Sequence, residues 1–279
     1  MAQKFDVCIR GDGMVGRTLA LLLARQRLRV GLVGVTPLQT QQNSQDVRAY
    51  SLNSASKDLL SDLRCWPDPL HATPVQHMRV WGDDGGFAHF ESPTPDGLSW
   101  IVDVPTLEAQ LAQAVRYQAE ITSLEAPAPA ALTVVCEGRR SRTRDELGVD
   151  FEVLPYEQHA VAARVRGSIA HRQQALQWFA HHGKGLEILA LLPLEGAQGD
   201  TAGLVWSLPP ERAQEMLALD AHAFAHAVEE GSHGVLGLLE LISERAMWPL
   251  QLARAERWTG NFADGSAWAL AGDAAHNIH

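Results

Sequence analysis

The hydrophobic pattern near the N-terminus alternates between short apolar runs and one helical stretch. Residues 5–9 form a short apolar run that is typical of a buried strand, and residues 19–25 are rich in Ala and Leu. Residues 29–33 form a second short apolar run. The sequence Gly11-Asp12-Gly13-Met14-Val15-Gly16 lies between the first run and the helix. The pattern predicts strand, glycine turn, helix and strand within about 30 residues.

The glycine spacing in this unit is that of a dinucleotide-binding turn. Gly11 permits the tight turn, Gly13 allows the backbone to approach a pyrophosphate, and Gly16 allows the helix to pack closely on the strand. The start of the helix then offers free N–H groups to phosphate. The second strand ends at Val33-Gly34-Val35, without the carboxylate that usually holds the adenosine ribose. A dinucleotide is therefore predicted, and a 2′-phosphorylated one stays open.

The remaining chain changes character near residue 151. Before it, apolar runs alternate with helical patterns, and a Pro-containing start precedes the helix at residues 106–117. After it, strand patterns follow one another at residues 159–165, 174–179, 187–192 and 201–207, before two helical stretches at 211–219 and 221–230. The predicted fold class is α/β: a Rossmann-like βαβ domain with an inserted antiparallel-sheet domain.

Composition and charge narrow the function. The 279 residues carry a net charge of −10, which argues against binding to a nucleic-acid backbone. Apolar residues make up 46% and charged residues 20%, as in an ordinary globular protein. The three cysteines, Cys8, Cys65 and Cys136, form no CxxC pair, which argues against a zinc ribbon and favours a reducing compartment. Without a signal-peptide core or an apolar run of about 18 residues, we expect a cytoplasmic protein.

Further motifs follow the glycine turn in a characteristic order. They are Asp46-Val47-Arg48-Ala49-Tyr50-Ser51-Leu52-Asn53, Met78-Arg79-Val80-Trp81-Gly82, Glu137-Gly138-Arg139-Arg140-Ser141, Leu191-Leu192-Pro193-Leu194 and Gly272-Asp273-Ala274-Ala275-His276. With these motifs, essentially the whole chain resembles the FAD-dependent aromatic hydroxylases of ubiquinone biosynthesis. Those proteins are class A flavoprotein monooxygenases of the para-hydroxybenzoate hydroxylase type. The last motif is the most discriminating, because nicotinamide dehydrogenases with a lone glycine turn do not carry it.

The resemblance implies a set of cofactor-binding residues. The glycine turn would hold the FAD pyrophosphate, Arg48 would face the cofactor, and Asp273 would accept hydrogen bonds from the ribityl chain. Glu137 is the weakest member, because the family has Asp at that position and the extra methylene displaces the carboxylate. The implied set is Gly11, Gly13, Met14, Val15, Gly16, Arg48, Gly272, Asp273 and Glu137.

The resemblance also implies the chemistry. NAD(P)H would reduce FAD, O₂ would form a flavin C4a-hydroperoxide, and an aromatic ring would take the distal oxygen. The substrate would be a small aromatic compound, with a polyprenyl tail and contact with a membrane surface or a biosynthetic complex as further expectations. No side chain is assigned as catalytic acid or base. The natural substrate, the ring position, the choice between NADH and NADPH, and the oligomeric state stay open.

Two other functions remain as alternatives. One is a non-catalytic, flavin-poor relative that acts as a scaffold or accessory protein, since Gly34, Pro105 and Glu137 depart from the family pattern. The other is a plain NAD(P) oxidoreductase, which would leave the motif at residues 272–276 unexplained. Flavin content separates these alternatives from a flavin-dependent hydroxylase.

The resemblance divides the chain into two interleaved domains. Residues 1–75, 105–150 and 256–279 would form the FAD-binding domain, and residues 76–104 and 151–255 the substrate domain. Trp178, Phe179 and Trp206 either line the substrate pocket or pack within its sheet. The family continues beyond its Gly-Asp-Ala-Ala-His turn with a loop and helices. We therefore expect the third FAD-binding part to be incomplete, FAD binding to be weak and turnover to be poor.

Two polar clusters have less specific interpretations. His222, His226 and Glu230 are spaced for one helix face and could hold a metal, but a solvated helix face is favoured and no metal is expected. A basic cluster begins the helix predicted at residues 142–147, and a solvated helix start is favoured over a site for a nicotinamide phosphate. Its members are Arg139, Arg140, Arg142 and Arg144. His276 and His279 flank the last motif, where local structural contacts are favoured over ligand contacts.

Overall fold

The computed structural model describes residues 5–34, 46–182 and 185–278. The helices are α1 (Met14–Arg25), α2 (Ser54–Asp62), α3 (Val104–Arg116), α4 (Arg142–Glu146), α5 (Pro210–Ala218) and α6 (Ala221–Gly231). The first nine strands are β1 (Phe5–Arg10), β2 (Val30–Val33), β3 (Ala49–Leu52), β4 (Ala72–Val75), β5 (His77–Trp81), β6 (Phe87–Glu91), β7 (Ser99–Asp103), β8 (Ile121–Leu124) and β9 (Ala130–Val135). The later strands are β10 (Phe151–Gly167), β11 (Gln174–His182), β12 (Gly185–Pro193), β13 (Thr201–Leu208), β14 (Leu239–Leu241), β15 (Ala246–Ala255), β16 (Thr259–Asn261), β17 (Ala267–Leu270) and β18 (His276–Ile278).

One sheet has six strands in the order β16-β17-β9-β1-β2-β8, so strands from both ends of the chain contribute to it. β1 pairs in parallel with both β2 and β9, and β17 continues the parallel pairing. Helix α1 connects β1 to β2, and α1 packs beside α3. Ile9, Val30 and Leu111 are completely buried in the core that these elements share. The predicted Rossmann-like βαβ unit is confirmed.

The second body of the chain is a nine-stranded sheet. Its main path is β18-β15-β10-β13-β12-β11-β5-β6, and β14 pairs with β10. Its pairings are antiparallel except between β11 and β5, so the predicted antiparallel sheet is also confirmed. Helices α5 and α6 contribute Met216 and Phe224, both fully buried, to the core on one face of this sheet. The opposite face borders the cavity described below.

Trp178 and Trp206 belong to the helix-covered face. Both are at most 5% exposed and lie in the core that contains Met216 and Phe224. Leu189 stands between them in register, and alternate residues of a strand point to opposite faces. Of the two interpretations open for these tryptophans, packing within the sheet is therefore the correct one.

Two strands depart from the expected division of the chain. β7 lies within the range assigned to the large sheet, but it pairs with β3 and β4 in a separate three-stranded sheet. β18 lies within the last FAD-binding range, but it pairs with β15 of the large sheet. Both strands are short, so their own sequences do not fix the sheet that they join. The neighbouring strand edge in the folded chain fixes it. The division into domains stays a proposal.

Strand β15 has no counterpart among the predicted elements. Its sequence, Ala246–Ala255, includes Pro249, which cannot donate a ladder hydrogen bond and weakens a strand pattern. Seven of its ten residues are half-buried or exposed, and buried and exposed positions do not alternate along the strand. Its pairing with the long strand β10, which has an irregularity between Pro155 and His159, creates the strand.

The described residues include no helix that is long and apolar enough to cross a membrane.

Cys8, Cys65 and Cys136 are all buried and unpaired with one another. Burial raises the pKa of the Cys136 thiol to about 12, so this thiol stays protonated at neutral pH.

Candidate cofactor and substrate site

The glycine turn between β1 and α1 contains two glycines that the fold requires and one that it does not. A Cβ on Gly11 would lie 2.2 Å from the carbonyl oxygen of Cys136, and Gly11 has a φ of +113°. A Cβ on Gly16 would lie 1.9 Å from the carbonyl oxygen of Gly11. A Cβ on Gly13 would meet no atom within 4 Å. Protein packing therefore explains Gly11 and Gly16, whereas Gly13 borders open space of the kind that a pyrophosphate needs.

Helix α1 begins at this open space with an uncapped N-terminus. Gly13 is its N-cap, no side chain accepts from its first turn, and that turn contains no acidic residue. The first N–H groups and the helix dipole therefore favour an anion. The shape and charge of the turn fit the pyrophosphate of a dinucleotide, and the cofactor roles of Gly13, Met14 and Val15 stay predictions.

The fold brings the C-terminal motif to the same place. Gly272 has a φ of +60°, and a Cβ on it would lie 3.0 Å from Cγ2 of Val15. Gly272–Ala274 forms a single 3-10 turn after β17, and Asp273 is exposed at its tip. Two motifs far apart in sequence thus meet at the N-terminus of α1. This proximity supports the predicted cofactor roles of Val15, Gly272 and Asp273, which remain predictions.

A cavity of about 300 Å³ lies beside this turn. Its apolar wall comes from the face of the large sheet opposite α5 and α6, where Ala162, Gly203 and Val205 stand in β10 and β13. Its other residues include polar groups from three segments: one around the start of β3, one before α4 and one after β17. These polar residues are Arg48, Tyr50, Arg139, Asp273 and Asn277. The cavity can therefore receive a flat group with an apolar face and polar edges.

Arg48 is the best-anchored cation at the cavity. Its Nη2 donates to Asp46 Oδ2 at 2.6 Å and to Glu108 Oε1 at 3.4 Å, and its Nη1 donates to the Tyr50 hydroxyl at 3.3 Å. Burial would raise the pKa of Asp46, but the hydrogen bonds from Arg48 outweigh it and lower that pKa. The hydrogen bond with Asp46 also raises the pKa of Arg48, so the guanidinium is permanently charged. The structure places Arg48 at the predicted site, and its contact with the cofactor stays a prediction.

Glu137 is surrounded by donors from the protein itself. Its Oε1 accepts from Arg10 Nε at 3.2 Å and from Thr143 Oγ1 at 2.6 Å. Its Oε2 accepts from Ser141 Oγ at 2.8 Å and from the Thr143 N–H at 3.0 Å. Burial would raise the pKa of Glu137, but these hydrogen bonds lower it. The carboxylate therefore fastens the start of α4 to the end of β1, a role that sequence reasoning did not identify for either Arg10 or Glu137.

Arg144 differs most from its expected position. The solvated interpretation of the basic cluster holds for Arg140 and Arg142, which are exposed, but is wrong for Arg144, which is 5% exposed. Arg144 Nη1 donates to the carbonyl oxygens of Arg139 at 3.1 Å and Ala274 at 3.4 Å. Its guanidinium carbon lies 3.6 Å from the ring centre of Phe151. Arg144 thus joins the segment before α4 to the turn that carries Asp273.

The histidine clusters have ordinary surroundings. His226 Nδ1 lies 3.8 Å from Glu230 Oε2 on the surface of α6. Within residues 5–34, 46–182 and 185–278, no three His, Cys, Asp or Glu side chains are placed to hold a metal ion together. His276 stacks on Trp258 with 5.1 Å between ring centres. His279 lies outside the described residues.

Comparison with known proteins identifies the family. The family model described as FAD binding domain matches residues 103–279, which is more than half of the chain. The ubiquinone hydroxylase UbiL of Rhodospirillum rubrum is 29% identical over 98% of this chain and 67% of its own length. The ubiquinone hydroxylase UbiM of Neisseria meningitidis is 25% identical over 100% of this chain and 65% of its own length. The chain therefore spans about two thirds of the length of these relatives.

Solved structures share the fold at lower sequence identity. PqsL of Pseudomonas aeruginosa, a probable FAD-dependent monooxygenase, is 20% identical with a TM-score of 0.76, over 99% of this chain and 80% of its own. The flavin-dependent monooxygenase PieE, solved with FAD and substrate, is 19% identical with a TM-score of 0.70, over 99% of this chain and 54% of its own. The predicted FAD cofactor and the predicted class, a flavin-dependent monooxygenase, are confirmed. The chain belongs to the FAD binding domain family, and its predicted resemblance to the ubiquinone-biosynthesis hydroxylases is confirmed.

Proposed function

We propose that this chain hydroxylates an aromatic ring in ubiquinone biosynthesis, with FAD as cofactor, NAD(P)H as reductant and O₂ as co-substrate. The cavity beside the turn that carries Asp273 is the observation that carries the proposal. It is small, at about 300 Å³, and it joins an apolar wall to a charged one. A flat aromatic ring fits such a space better than a flexible polar metabolite does, because apolar surface is favourably buried and polar edges find partners.

The residues at the site divide the work of binding. The turn from Gly11 to Gly16 and the N-terminus of α1 would hold the pyrophosphate, and Asp273 would accept hydrogen bonds from the ribityl hydroxyls. Bound FAD supplies the transfer of oxygen from O₂ after reduction by NAD(P)H. The side chains would orient the ring, since Ala162 and Gly203 leave room for it while Trp248 and Leu192 add apolar lining.

The apolar wall extends beyond the cavity, which supports a polyprenyl tail on the substrate. Ala190 lies opposite Val205 in register, and Ile188 lies opposite both Ser207 and Phe179. These residues are half-buried and share the cavity-facing side of the sheet, because they alternate with the buried residues under α5 and α6. An isoprenoid chain laid along this strip would remove apolar surface from water. Contact with a membrane surface or a biosynthetic complex would deliver such a substrate.

Reconstitution tests the proposal directly. The purified chain is incubated with FAD, freed of excess cofactor and examined for a flavin spectrum. NAD(P)H oxidation is then measured with and without ring compounds that carry or lack an isoprenoid tail, with isotopically labelled O₂. We expect weak but detectable flavin binding, a low rate of oxidation that the substrate stimulates, and one labelled oxygen atom in the product.

Two variants separate cofactor binding from substrate binding. Gly13→Val fills the open space at the turn and should abolish flavin binding. Gly203→Leu fills the cavity. A Cβ there would lie 3.4 Å or more from its neighbours, which is ordinary van der Waals contact. This variant should retain flavin and lose the substrate-stimulated oxidation. Loss of both functions in both variants would contradict a substrate site at Gly203.

Flavin content also distinguishes the proposed hydroxylase from the two alternative functions. A folded chain that takes up no FAD at any concentration would favour a non-catalytic scaffold. The hydrogen bonds of Glu137 to protein donors are compatible with that alternative. Nicotinamide binding without flavin would favour a plain NAD(P) oxidoreductase. Flavin-dependent NAD(P)H oxidation without product would contradict ring hydroxylation alone.

A further inference from the structure

The end of β2 lacks the residue that a dinucleotide-binding unit usually places there. An acidic side chain about 20 residues after the glycine turn normally accepts hydrogen bonds from the adenosine ribose hydroxyls. In this chain β2 ends at Val33, Gly34 follows, and residues 34–45 contain no Asp or Glu. A carboxylate acceptor for the ribose must therefore come from another part of the chain, or be absent.

A carboxylate nevertheless stands at the end of β2. The side chain of Asp12, from within the glycine turn, lies against Gly34: its Oδ2 is 3.4 Å from the position a Cβ on Gly34 would take, and its Cγ is 3.6 Å from it. The Asp12 side chain is 38% exposed, so it is accessible to a ligand bound at the glycine turn. A Cβ on Gly34 would be in ordinary van der Waals contact with the Asp12 carboxylate, so this carboxylate lies next to the position that usually carries the acidic residue.

Arg17 fixes this carboxylate and offsets its charge. Arg17 Nη2 donates to Asp12 Oδ2 at 3.3 Å, and Arg17 Nη1 donates to the carbonyl oxygen of Glu108 on α3 at 3.3 Å. The Arg17 side chain is 20% exposed, so the pair is held between α1 and α3. An unpaired carboxylate beside a pyrophosphate site would repel the ligand, and the neighbouring guanidinium weakens that repulsion.

We propose that Asp12 is the acceptor for the adenosine ribose hydroxyls of FAD in this chain. The inference rests on FAD binding and is independent of which ring is hydroxylated. A carboxylate accepts two neighbouring hydroxyls through charge-assisted hydrogen bonds. The glycine turn thus supplies the group that β2 lacks, and the departure at Gly34 is a relocation of the acceptor.

The test compares FAD with FMN, which lacks the adenosine half. Apoprotein is titrated with each flavin, and binding is followed by quenching of flavin fluorescence. We expect Asp12→Ala to weaken FAD binding by about tenfold to a hundredfold, the loss that follows from hydrogen bonds to a charged group. FMN binding should be unchanged, because FMN has no adenosine ribose.

A second variant moves the acceptor back to β2. Asp12→Ala combined with Gly34→Glu places a carboxylate directly after β2 and removes the side chain that it would meet. We expect this double variant to recover most of the FAD affinity that Asp12→Ala loses. The matched control is Asp6→Ala, since Asp6 is 37% exposed, pairs with Arg29 and lies at the opposite end of β1. Its FAD affinity should equal that of the unaltered chain.

The outcomes distinguish this proposal from its rivals. Unchanged or tighter FAD binding by Asp12→Ala would overturn it, because Asp12 would then only pair with Arg17 or repel the pyrophosphate. An equal loss for FAD and FMN would overturn it as well, by showing a general change in the turn. Absence of FAD binding by the unaltered chain would overturn both this proposal and the proposed function. FAD binding that is indifferent to Asp12 would overturn this proposal alone.

Discussion

Arg164 of β10 forms an ion pair with Asp103, the residue that caps α3, with 2.5 Å between Nη2 and Oδ2. Asp103 also accepts from the Thr106 N–H at 3.0 Å and from the Thr106 hydroxyl at 2.7 Å. The pair joins the large sheet to the helix that packs beside α1. Both side chains are less than 20% exposed, so water screens the interaction only partly.

Removing one member of this pair should destabilise the protein strongly. Arg164→Met leaves the Asp103 carboxylate partly buried without its cation, and we expect the free energy of unfolding to fall by about 3 kcal/mol. Asp103→Asn keeps an N-cap acceptor, whereas Asp103→Ala loses the cap too and should cost about 1 kcal/mol more. Urea unfolding measures all three variants. Equal stabilities for Asp103→Asn and Asp103→Ala would contradict the capping role.

The same pair predicts a dependence on acid. Burial would raise the pKa of Asp103, but the hydrogen bonds from Thr106 and Arg164 lower it below its usual 3.8. The contribution to stability is therefore complete above pH 3.8 and is lost as the pH falls through the lowered pKa. Unfolding free energies measured from neutral to acidic pH should show less acid sensitivity in Asp103→Asn than in the unaltered chain.

Glu137 should behave as a structural carboxylate whose length matters. Glu137→Asp retracts the oxygens from Arg10 and Thr143, and Glu137→Gln removes the charge while keeping the length. We expect each to lower the free energy of unfolding by about 1–3 kcal/mol, because donors become unsatisfied. Thermal unfolding of the apoprotein is the measurement. A stable Glu137→Asp variant with improved FAD affinity would contradict this assignment and indicate a direct cofactor contact.

Gly13 and Gly16 of the turn should respond differently to replacement by alanine. Gly13→Ala meets open space, so the apoprotein should lose at most about 1 kcal/mol, the cost of a poorer N-cap. Its FAD affinity should fall, because the methyl group enters the pyrophosphate space. Gly16→Ala would place a Cβ 1.9 Å from a carbonyl oxygen and should prevent normal folding. Circular dichroism and flavin titration together distinguish these results.

His171 should make stability depend on pH near neutrality. This buried imidazole approaches the Leu194 carbonyl oxygen through Nε2 at 2.7 Å and accepts from the Gln173 N–H through Nδ1 at 3.0 Å. Burial lowers its pKa below 6.5, although Asp200 and Glu195 oppose the shift. Its contribution is complete above pH 6.5 and declines as the pH falls toward the lowered pKa. The slope stays below the one-proton maximum of about 1.4 kcal/mol per pH unit.

The variant His171→Asn provides the comparison for this slope. Its overall stability should be lower, because the buried contacts change. The dependence on pH between 6.5 and the lowered pKa should disappear, since Asn does not titrate there. An unchanged slope in this variant would assign the effect to another group.

Arg144 should be sensitive even to a conservative change. Lysine keeps the charge but lacks the planar group that stacks on Phe151 and reaches two carbonyl oxygens. We expect Arg144→Lys to cost about 2 kcal/mol of unfolding free energy, since a buried charge loses partners. FAD affinity should fall as well, because the turn with Asp273 loosens. Unaltered FAD affinity in a destabilised variant would separate the two effects.

Local patterns were sufficient for several parts of the fold. The helix with Pro105 in its first turn follows from local preference, because proline is favoured at a helix start and acts within one turn of chain. Strands such as β12 and β13 follow from short apolar runs bounded by turns. β15 was missed because its pairing with β10, not its own composition, makes it a strand.

The candidate site was predictable only where a motif is local. The glycine turn carries its own geometry, so Gly11, Gly13 and Gly16 could be assigned from spacing. Arg144 looked like one more surface arginine, since nothing nearby in sequence shows that Phe151 and Ala274 enclose it. Asp12 likewise shows its position against Gly34 only when β1 and β2 lie side by side.

The class of fold, the dinucleotide turn and the family follow from the amino-acid sequence alone, because they depend on periodicity and on motifs of a few residues. Which charges meet depends instead on the tertiary structure. It placed the Glu137 carboxylate on Arg10 and Thr143, buried Arg144 beneath the Asp273 turn and brought Asp12 to the end of β2. Contacts between residues distant in the chain depend on how sheets and helices pack, and no local pattern records them.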